Sequence, residues 1–200
     1  MAGTATIAVA LWWRRHPSAC PYGQRFWVEA PHPLITRSRL LDALTPKDGE
    51  RILEVGPGTG YYTLAVAESL GAGGALEIFD VQQEMLDHTL RAAAKKGLTN
   101  ILATRGDARS LPYQDDCFDA AYLVTVLGEV PDQGAALGEL ARVIGPGGRL
   151  VVGELLGDPH FVRLGALIER ARDAGLELEG RMGGRFGYFA TFRPAAASGR

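Results

Sequence analysis

The sequence predicts an α/β fold: a three-layer, Rossmann-like, doubly wound, mostly parallel seven-stranded sheet with an antiparallel hairpin at its C-terminal edge. From residue 51 onward, short apolar runs alternate with segments of helical period. Runs that are apolar on both faces are typical of parallel strands covered by helices on both sides. The last two strand-like runs instead face each other across a glycine-containing turn, which indicates a hairpin.

The first half of this alternation contains three strands and two helices. Apolar stretches predict strands at 51–55, 75–80 and 100–107. Residues 60–71 place apolar side chains at helical spacing, and 83–97 is rich in good helix formers and closes at Gly97. Each crossover between parallel strands should be right-handed.

The second half supplies two more parallel strands and the edge hairpin. The parallel strands are predicted at 118–124 and 149–154. A helix that begins at residue 133 should stop at Gly145-Pro146, and another should span 160–175. The hairpin pairs 176–180 with 186–192 across a turn at 181–185.

The first 46 residues differ from the rest in composition. They contain all three tryptophans, several prolines that break them into short pieces, and one convincing helix at 34–45. A chain of 200 residues suits one domain. We therefore predict an N-terminal helical cap or lid (1–46), a main domain (47–193) and a frayed tail (194–200).

Charge and cysteine content argue against several classes of function. The net charge of −2, from 21 basic and 23 acidic side chains, provides no general attraction to nucleic acid. Cys20 and Cys117 are too few for a disulfide framework, and no Cys/His cluster has metal-ligand spacing. The N-terminal apolar run is about ten residues, too short to cross a bilayer. We expect a cytoplasmic protein with reduced thiols and no metal site.

The stretch "GPGTG" places Gly56, Gly58 and Gly60 where the first strand passes into a helix. Glycine tolerates positive φ and lets a ligand approach the backbone closely. Free amide groups at the start of that helix would attract a negatively charged group. The turn therefore predicts a nucleotide-type site at the carboxyl end of the first strand.

The pattern favours an adenosine with a small charged tail over a dinucleotide. In a G-x-G-x-x-G fingerprint the third glycine would fall at Tyr61, whose side chain should crowd a pyrophosphate. The P-loop pattern is absent as well. Asp80, at the end of the second strand, is placed to accept hydrogen bonds from ribose hydroxyls.

Five motifs in order resemble the class I S-adenosylmethionine-dependent methyltransferases, especially the small-molecule and quinone/lipid group. They are "ILEVGPGTG", "FD" at 79–80, "GDA" at 106–108, "FDAAYLVTVLGEVPD" and "RVIGPGGRLVVGE". The resemblance covers about residues 47–193 and implies S-adenosylmethionine as cofactor. It also implies transfer of a methyl group to a small molecule, possibly a quinone, phenol, amine or lipid.

The resemblance implies a set of cofactor-binding residues. The glycine turn would hold the methionine tail, Glu54 would orient that turn or meet the ammonium group, and Asp80 with Val81 would hold ribose and adenine. Adenine would also meet Asp107 and Ala108. The full set is Glu54, Gly56, Gly58, Gly60, Asp80, Val81, Gly106, Asp107, Ala108, Thr125 and Val126. An acidic rim that includes Glu129 suits a sulfonium cation.

Three of the acidic residues have structural alternatives. Glu54 could cap the neighbouring helix, and Asp107 could be a simple turn residue. Glu129 is balanced between a site role and a structural one. Asp80 has no obvious structural partner in the sequence around it.

The implied reaction is an in-line displacement in which positioning supplies much of the rate. A base is needed only where the acceptor holds a proton near neutral pH. His160, after the fifth strand, and His16 and His32, in the cap, are the candidate bases. His88 should face solvent.

The N-terminal cap is the candidate acceptor-binding element. Many members of the family carry a late insertion that builds the acceptor pocket, whereas this chain runs from "VVGELLGDPH" straight into a helix. The aromatic and basic segment 11–33 could form a lid, contact a membrane surface, or statically cover the sheet domain.

Two other functions stay open. A nicotinamide-dependent oxidoreductase would use the same fold, although the misfit at Tyr61 and the lack of a recognisable Lys/Tyr pair argue against it. A non-catalytic module could keep the cofactor pocket without turnover. No motif residue is disrupted in a way that favours this module.

Overall fold

The computed structural model describes residues 18–24 and 33–195. These residues form a seven-stranded sheet of β1 (Arg51–Val55), β2 (Ala75–Asp80), β3 (Ile101–Arg105), β4 (Phe118–Val124), β5 (Ile144–Leu155), β6 (Leu176–Gly184) and β7 (Gly187–Pro194). The spatial order is β3-β2-β1-β4-β5-β7-β6. The first five strands in this order, from β3 through β2, β1 and β4 to β5, pair in parallel. Strand β7 pairs antiparallel with both β5 and β6. The predicted fold class is confirmed.

The chain changes direction across the sheet between β1 and β4. It builds outward from β1 through β2 to β3, and then returns to add β4 on the opposite side of β1. Such a switch point leaves a crevice at the carboxyl ends of the strands, where ligands bind in open α/β sheets.

Within residues 18–24 and 33–195, five helices cover the two faces of the sheet. Helices α1 (Arg37–Leu44), α2 (Thr63–Ser69) and α3 (Gln83–Lys95) cover one face, and α4 (Gln133–Val143) and α5 (Leu164–Asp173) the other. Two 3₁₀ turns, Tyr22–Gln24 and Leu127–Glu129, add to these helices within the described part of the chain. No helix in residues 18–24 and 33–195 is both long and apolar enough to span a bilayer.

Alternating side chains of β4 enter separate cores on the two faces. Ala121 and Leu123 pack in the cluster that contains α4 and α5, while Ala120 and Tyr122 pack with α1, α2 and α3. All four are fully or almost fully buried. This two-sided burial is the reason that the strand sequence is apolar at nearly every position.

Arg149, in β5, anchors α1 to the edge of the sheet. Its guanidinium donates to the carbonyl oxygens of Leu44 and, at 3.0 Å, Thr45, where α1 ends. It also forms a two-point ion pair with Glu50 at 2.9 and 2.7 Å. Both partners of the ion pair are largely buried. Sequence patterns did not indicate this link, because its members lie about 100 residues apart.

Element boundaries differ most around α4 and β5. The helix ends at Val143 instead of Gly145-Pro146, and β5 begins at Ile144 instead of residue 149. Ile144 pairs with Phe118, the register then shifts, and pairing resumes at Arg149. A bulge of this kind accommodates extra residues in one strand, and glycine eases it.

The other differences are shorter. Strand β3 spans 101–105 and not 100–107. Helix α5 begins at Leu164 and not at residue 160, because a loop follows the end of β5 at Leu155. The hairpin turn lies at Arg185 and Phe186, so that the predicted turn residues 181–184 belong to β6. The strands extend because β6 and β7 continue to pair as far as Gly184 and Gly187.

Candidate functional site

A cavity of about 810 Å³ opens at the switch point, at the carboxyl ends of β1, β2, β4 and β5. Its size is typical of small-molecule sites. Most of the predicted site residues line it: Gly56, Gly58, Asp80, Val81, Gly106, Asp107, Ala108, Thr125, Val126 and His160. Glu54 and Gly60 do not. His16 and His32 lie outside the described residues.

The glycine turn combines positive φ angles with close packing. Gly56 has φ 72°, and a Cβ placed on it would lie 2.3 Å from the Val126 side chain. Gly60 has φ 85° and packs instead against Thr89, 3.1 Å from where its Cβ would lie. Both positions therefore require glycine. Gly58, with φ 56°, is the glycine between them whose backbone borders the cavity.

The glycine turn precedes helix α2, and two of its amides donate to carbonyl groups of the protein. Helix α2 begins only at Thr63, beyond the turn. The Gly56 amide donates to the Phe79 carbonyl at 2.8 Å, and the Gly60 amide to the Pro57 carbonyl at 2.9 Å. These two bonds stabilise the turn, and a negatively charged group at the start of the following helix stays a prediction.

Glu54 is buried beneath the turn and faces α2. Its carboxylate accepts a hydrogen bond of 2.6 Å from the hydroxyl of Thr63, the first residue of that helix. Burial raises the pKa of Glu54 to about 7, and Asp80 adds to the shift. This contact ties Glu54 to the neighbouring helix, as in the structural alternative, and its role toward the turn or a ligand stays a prediction.

Asp80 ends β2 at the cavity wall. One carboxylate oxygen accepts the Gln82 amide at 2.8 Å. Burial raises the pKa of Asp80 to about 6, although hydrogen bonds from the Gln82 and Val81 backbone oppose the shift. Val81 beside it is partly exposed and lines the same cavity.

Asp107 lies in the loop after β3, where both of its oxygens meet Arg109. The guanidinium donates at 2.6 Å and 3.0–3.1 Å, and the Arg109 amide donates to the same carboxylate at 2.9 Å. Arg109 holds the pKa of Asp107 below its usual range. These bonds are the turn arrangement that the sequence left as an alternative.

Gly106 precedes this loop and lies against Phe79. A Cβ at Gly106 would lie 2.5 Å from the phenyl ring, so a side chain at this position would displace the β2–β3 contact. The Gly106 amide also donates to the Asp80 carbonyl at 2.9 Å. Gly106 therefore allows the β3 loop to lie against the end of β2.

Thr125 follows β4 and has φ 56°, which is rare for a β-branched residue. Its amide donates to the Gly153 carbonyl, and its hydroxyl to the Val124 carbonyl, both at 2.8 Å. Backbone strain of this kind costs on the order of 1–3 kcal/mol and concentrates at functional sites. The backbone turn directs Thr125 and Val126 to the cavity.

The far end of the cavity is acidic. Glu129, from the turn after β4, and Asp158, from the loop after β5, both line it. Burial raises the pKa of Glu129 to about 8, with further contributions from Asp158 and Asp80. The loop packs directly on the turn, since a Cβ on Gly128 would overlap the His160 carbonyl. His160 itself donates its amide to Asp158 at 2.7 Å.

Residues 18–24, which we call the strap, lie against the cavity and belong to the segment 11–33 that the sequence predicts to be a lid, a membrane contact or a static cover. Ser18, Ala19 and Cys20 line the cavity. The Gln82 side chain donates to the Cys20 carbonyl at 3.0 Å and accepts the Tyr22 amide at 3.2 Å. The Cys20 amide donates to Glu129 at 3.3 Å. The strap is thus bonded both to Gln82, after β2, and to Glu129, after β4.

Two further expectations are wrong. His88 does not simply face solvent: its Nδ1 lies 3.1 Å from the Tyr22 hydroxyl of the strap. Tyr61 does not reach the cavity wall, because its ring packs edge-on to Tyr62 and under the guanidinium of Arg37, 4.1 Å away. The steric argument against a dinucleotide therefore does not hold. In the described part of the chain, no group of three His, Cys, Asp or Glu side chains could hold a metal ion.

The sequence matches the model of the ubiE/COQ5 methyltransferase family over residues 31–160. A demethylmenaquinone methyltransferase of Bacillus velezensis is 33% identical over 115 residues, which cover 58% of this chain and 49% of that protein. A protein of Streptomyces fradiae in transposon TN4556 is 36% identical over 118 residues, 59% of this chain and 34% of its own length. The chain spans about half the length, or less, of these curated relatives.

Solved structures share the fold at low sequence identity. A SAM-dependent methyltransferase from Aquifex aeolicus superimposes with a TM-score of 0.79 at 20% identity, over 87% of this chain and 98% of that one. The [4+2]-cyclase SpnF superimposes with a TM-score of 0.70 at 22% identity, over 80% of each chain. Since the second is named as a cyclase, the likeness shows the fold and does not fix the reaction.

Proposed function

Because the chain belongs to the ubiE/COQ5 methyltransferase family, we propose that it transfers a methyl group from S-adenosylmethionine to a small-molecule acceptor. The observation that supports this most is the position of Asp80, whose carboxylate lies at the cavity wall beside the glycine turn. A carboxylate at the end of the second strand suits the ribose hydroxyls of a nucleoside.

The residues present fit this cofactor. Asp80 and Asp158 line the cavity, and the one guanidinium in its described wall, that of Arg109, is paired with Asp107. Acidic walls favour a ligand that bears sulfonium and ammonium cations. Asp80 and Val81 would hold the nucleoside, and Gly56 and Gly58 the amino-acid tail. When bound, S-adenosylmethionine supplies a methyl group on a positively charged sulfur.

The acceptor would lie at the end of the cavity between the turn after β4 and the loop after β5. Val130, Pro131 and Leu155 give that end apolar surface, and Glu129, Asp158 and His160 give it polar groups. A wall of this kind suits an aromatic or lipid-like ring that carries an O–H or N–H group. The names of the curated relatives favour a quinone-type acceptor over an amine.

Glu129 is placed to take the proton that such an acceptor loses as it is methylated. A general base works best when its pKa lies near the working pH, and burial brings the pKa of Glu129 to about 8. His160 also lines this end and stays a second candidate. The strap would keep bulk water from the reacting groups, because its backbone is hydrogen-bonded over the cavity.

Ligand-induced stabilisation and methyl transfer test the proposal together. We expect S-adenosylhomocysteine to raise the melting temperature, and labelled methyl to appear on at least one acceptor in a panel of reduced naphthoquinones, phenols, amines and lipids. Stabilisation by NAD(P) and none by S-adenosylhomocysteine would favour an oxidoreductase. Stabilisation without transfer to any acceptor would favour a non-catalytic binding module.

A further inference from the structure

Two buried polar side chains hold the backbone of Val162, in the loop that joins β5 to α5. The Glu154 carboxylate accepts the Val162 amide at 3.0 Å, and the Tyr188 hydroxyl donates to the Val162 carbonyl at 2.7 Å. Glu154 and Tyr188 are each 1% exposed, and they lie directly opposite each other in the β5–β7 ladder. Both polar groups of one backbone residue are therefore bonded by side chains of two neighbouring strands. We call this pair of side chains the Val162 clamp.

The loop that the clamp holds forms one wall of the cavity. Four of its residues line the cavity: Gly157, Asp158, Pro159 and His160. Val162 follows the last of them by two positions. Glu154 and Tyr188 do not line the cavity themselves. A shift of the Val162 backbone would nevertheless move this wall of the site.

Hydrogen bonds within the loop are local. The Asp158 amide donates to the Leu155 carbonyl at 2.9 Å, and the Phe161 amide to the Asp158 carbonyl at 3.2 Å. Such bonds determine the shape of the loop more than its position on the sheet. The clamp determines its position, because Glu154 and Tyr188 belong to adjacent strands. The Phe161 ring also packs edge-on to Tyr188, with 6.2 Å between the ring centres.

Both bonds of the clamp are buried, which makes them costly to lose. Val162 is buried as well, so water cannot replace either side chain while the loop keeps its place. A buried amide or carbonyl group that is left without a partner carries its full desolvation penalty. We therefore expect the loop to shift toward solvent when either side chain of the clamp is removed.

The clamp also determines how the loop meets the turn that carries Glu129. The two segments are in close contact, since a Cβ on Gly128 would overlap the His160 carbonyl. Glu129 follows Gly128 and lines the cavity with His160. The space between Glu129 and the loop therefore depends on where the clamp holds the loop.

We propose that Glu154 and Tyr188 are positioning residues for the methyl acceptor. They act through the loop after β5, whose place opposite Glu129 sets how the acceptor lies toward the methyl donor. Positioning matters in this reaction because a misplacement of about 1 Å lowers the rate about a hundredfold. This inference rests on the proposed function, which assigns the acceptor to this end of the cavity.

Tyr188→Phe tests the role with the smallest change, since it keeps the ring beside Phe161 and removes only the hydroxyl. We expect the acceptor KM to rise and kcat to fall, so that kcat/KM for the acceptor drops about ten- to a hundredfold. Affinity for S-adenosylhomocysteine should stay unchanged, because Asp80 and the glycine turn follow other strands. Initial rates at varied acceptor concentration and isothermal titration calorimetry measure these quantities.

Tyr113→Phe is the matched control. Tyr113 is half-buried, its hydroxyl donates to Glu77 at 3.1 Å, and it does not line the cavity. Its loss should lower stability and leave the acceptor KM unchanged, since unfolding reduces the amount of active protein and not the KM of what remains folded. An equal acceptor KM in Tyr188→Phe and Tyr113→Phe would overturn the positioning role.

Two substitutions of Glu154 provide a second comparison. Glu154→Gln keeps an oxygen for the Val162 amide and should retain the acceptor KM of the unsubstituted protein. Glu154→Leu has a similar size and no acceptor, so it should raise the acceptor KM as Tyr188→Phe does. A raised KM in Glu154→Gln with an unchanged KM in Tyr188→Phe would contradict the clamp.

Backbone hydrogen exchange tests the clamp without turnover. The amides of residues 158–163 should exchange faster in Tyr188→Phe than in Tyr113→Phe, while those of β1 and β2 should not differ. Unchanged exchange in the loop would show that the hydroxyl does not hold it, and would overturn the proposal.

Together the measurements separate failure of this inference from failure of the proposed function. If the unsubstituted protein methylates an acceptor and the clamp variants do so with unchanged KM, only the positioning role is rejected. If the unsubstituted protein methylates no acceptor, the proposed function is rejected and the acceptor role with it. Faster loop exchange in Tyr188→Phe would then keep the clamp as a support of the cavity wall alone.

Discussion

Asp80 and Gln82 connect the site to its cover through two successive hydrogen bonds. The Asp80 carboxylate accepts the Gln82 amide, and the Gln82 side chain bonds the strap at Cys20 and Tyr22. A change at the Asp80 carboxylate can therefore reach the strap without passing through the sheet. The first prediction therefore concerns the Asp80 carboxylate.

Asp80→Ala should weaken S-adenosylhomocysteine binding by about 1–3 kcal/mol, the usual cost of losing hydrogen bonds to a charged acceptor. Isothermal titration calorimetry measures it. Asp80→Asn keeps an oxygen for the Gln82 amide and loses the charge, so it separates the two roles of the carboxylate. Unchanged affinity in a folded Asp80→Ala variant would reject the ribose assignment.

Glu129→Gln should lower kcat about 10²- to 10⁴-fold with a protic acceptor, the range for loss of a general base. In the unsubstituted protein, kcat/KM should rise with pH up to about 8, because the carboxyl must lose its proton to act and burial raises its pKa to about 8. The variant should lack this rise. If the pH profile is unchanged in Glu129→Gln and is lost in His160→Gln, then His160 is the base.

The residues that the sequence analysis identified lie at the carboxyl ends of strands. Asp80 and Gly56 directly follow apolar strands, so their place at the carboxyl edge depends only on the strand ends. Gln82 and Cys20 were missed because their contact joins segments 62 residues apart, and neither residue type is unusual in its context. The positive φ of Thr125 has no sequence signal, since β-branched residues rarely adopt it.

At the scale of elements, the limits of three strands were predictable from the sequence, and the ends of several other elements were not. Strands β1, β2 and β4 match their predicted limits, because buried apolar runs stop where the chain reaches solvent. The ends of α4, β5 and the hairpin depend on pairing with distant strands, which a local pattern does not contain. Helix α2 begins at Thr63 and not at residue 60, and the Gly60 amide donates to the Pro57 carbonyl in a turn before it.

Gln82→Ala should loosen the strap without removing any backbone contact of the cavity wall. It deletes two hydrogen bonds, each worth about 0.5–1.5 kcal/mol, so S-adenosylhomocysteine should dissociate about 5- to 100-fold faster. Stopped-flow displacement measures the rate. Gln83→Ala is the matched control, because the Gln83 amide bonds only Asp87 on the exposed side of α3 among the described residues. Equal rates in the two variants would show that the strap does not retain the ligand.

For the whole molecule, the layered, mostly parallel sheet with its edge hairpin followed from the alternation of apolar runs with helices, whereas the strand order is a finding of the structure. The placement of α1 did not follow from the sequence, because the Arg149–Glu50 pair that anchors it is a tertiary contact. Residues 1–17 and 25–32, which were predicted to form much of the cap, lie outside the described residues, so their role as a lid or membrane contact stays a prediction.

Global stability should depend on pH through Glu154, which is 1% exposed at the end of β5. Burial raises the pKa of Glu154 to about 8, from an ordinary value of 4.5. Between these pH values the folded chain retains a proton that the unfolded chain has released, so the free energy of unfolding falls as the pH rises.

Glu154→Gln should remove on the order of 1–3 kcal/mol of that fall, as measured by urea unfolding at pH 5 and pH 8. Glutamine keeps an oxygen for the Val162 amide, which Glu154 accepts at 3.0 Å. Glu169→Gln, exposed on α5, is the control and should unfold with the pH dependence of the unsubstituted protein. An identical pH dependence in Glu154→Gln would show that this carboxyl is ionised in the folded state.

The strap is hydrogen-bonded to Gln82 and Glu129 through its main chain alone. Its side chains at 18–20 are therefore free to vary while the anchoring is retained, and they line the cavity. We expect substitutions at these three positions to change which molecules the cavity binds, while the sheet beneath stays the same. The binding preference of this protein could thus be altered through residues 18–20 alone, without any change to the sheet.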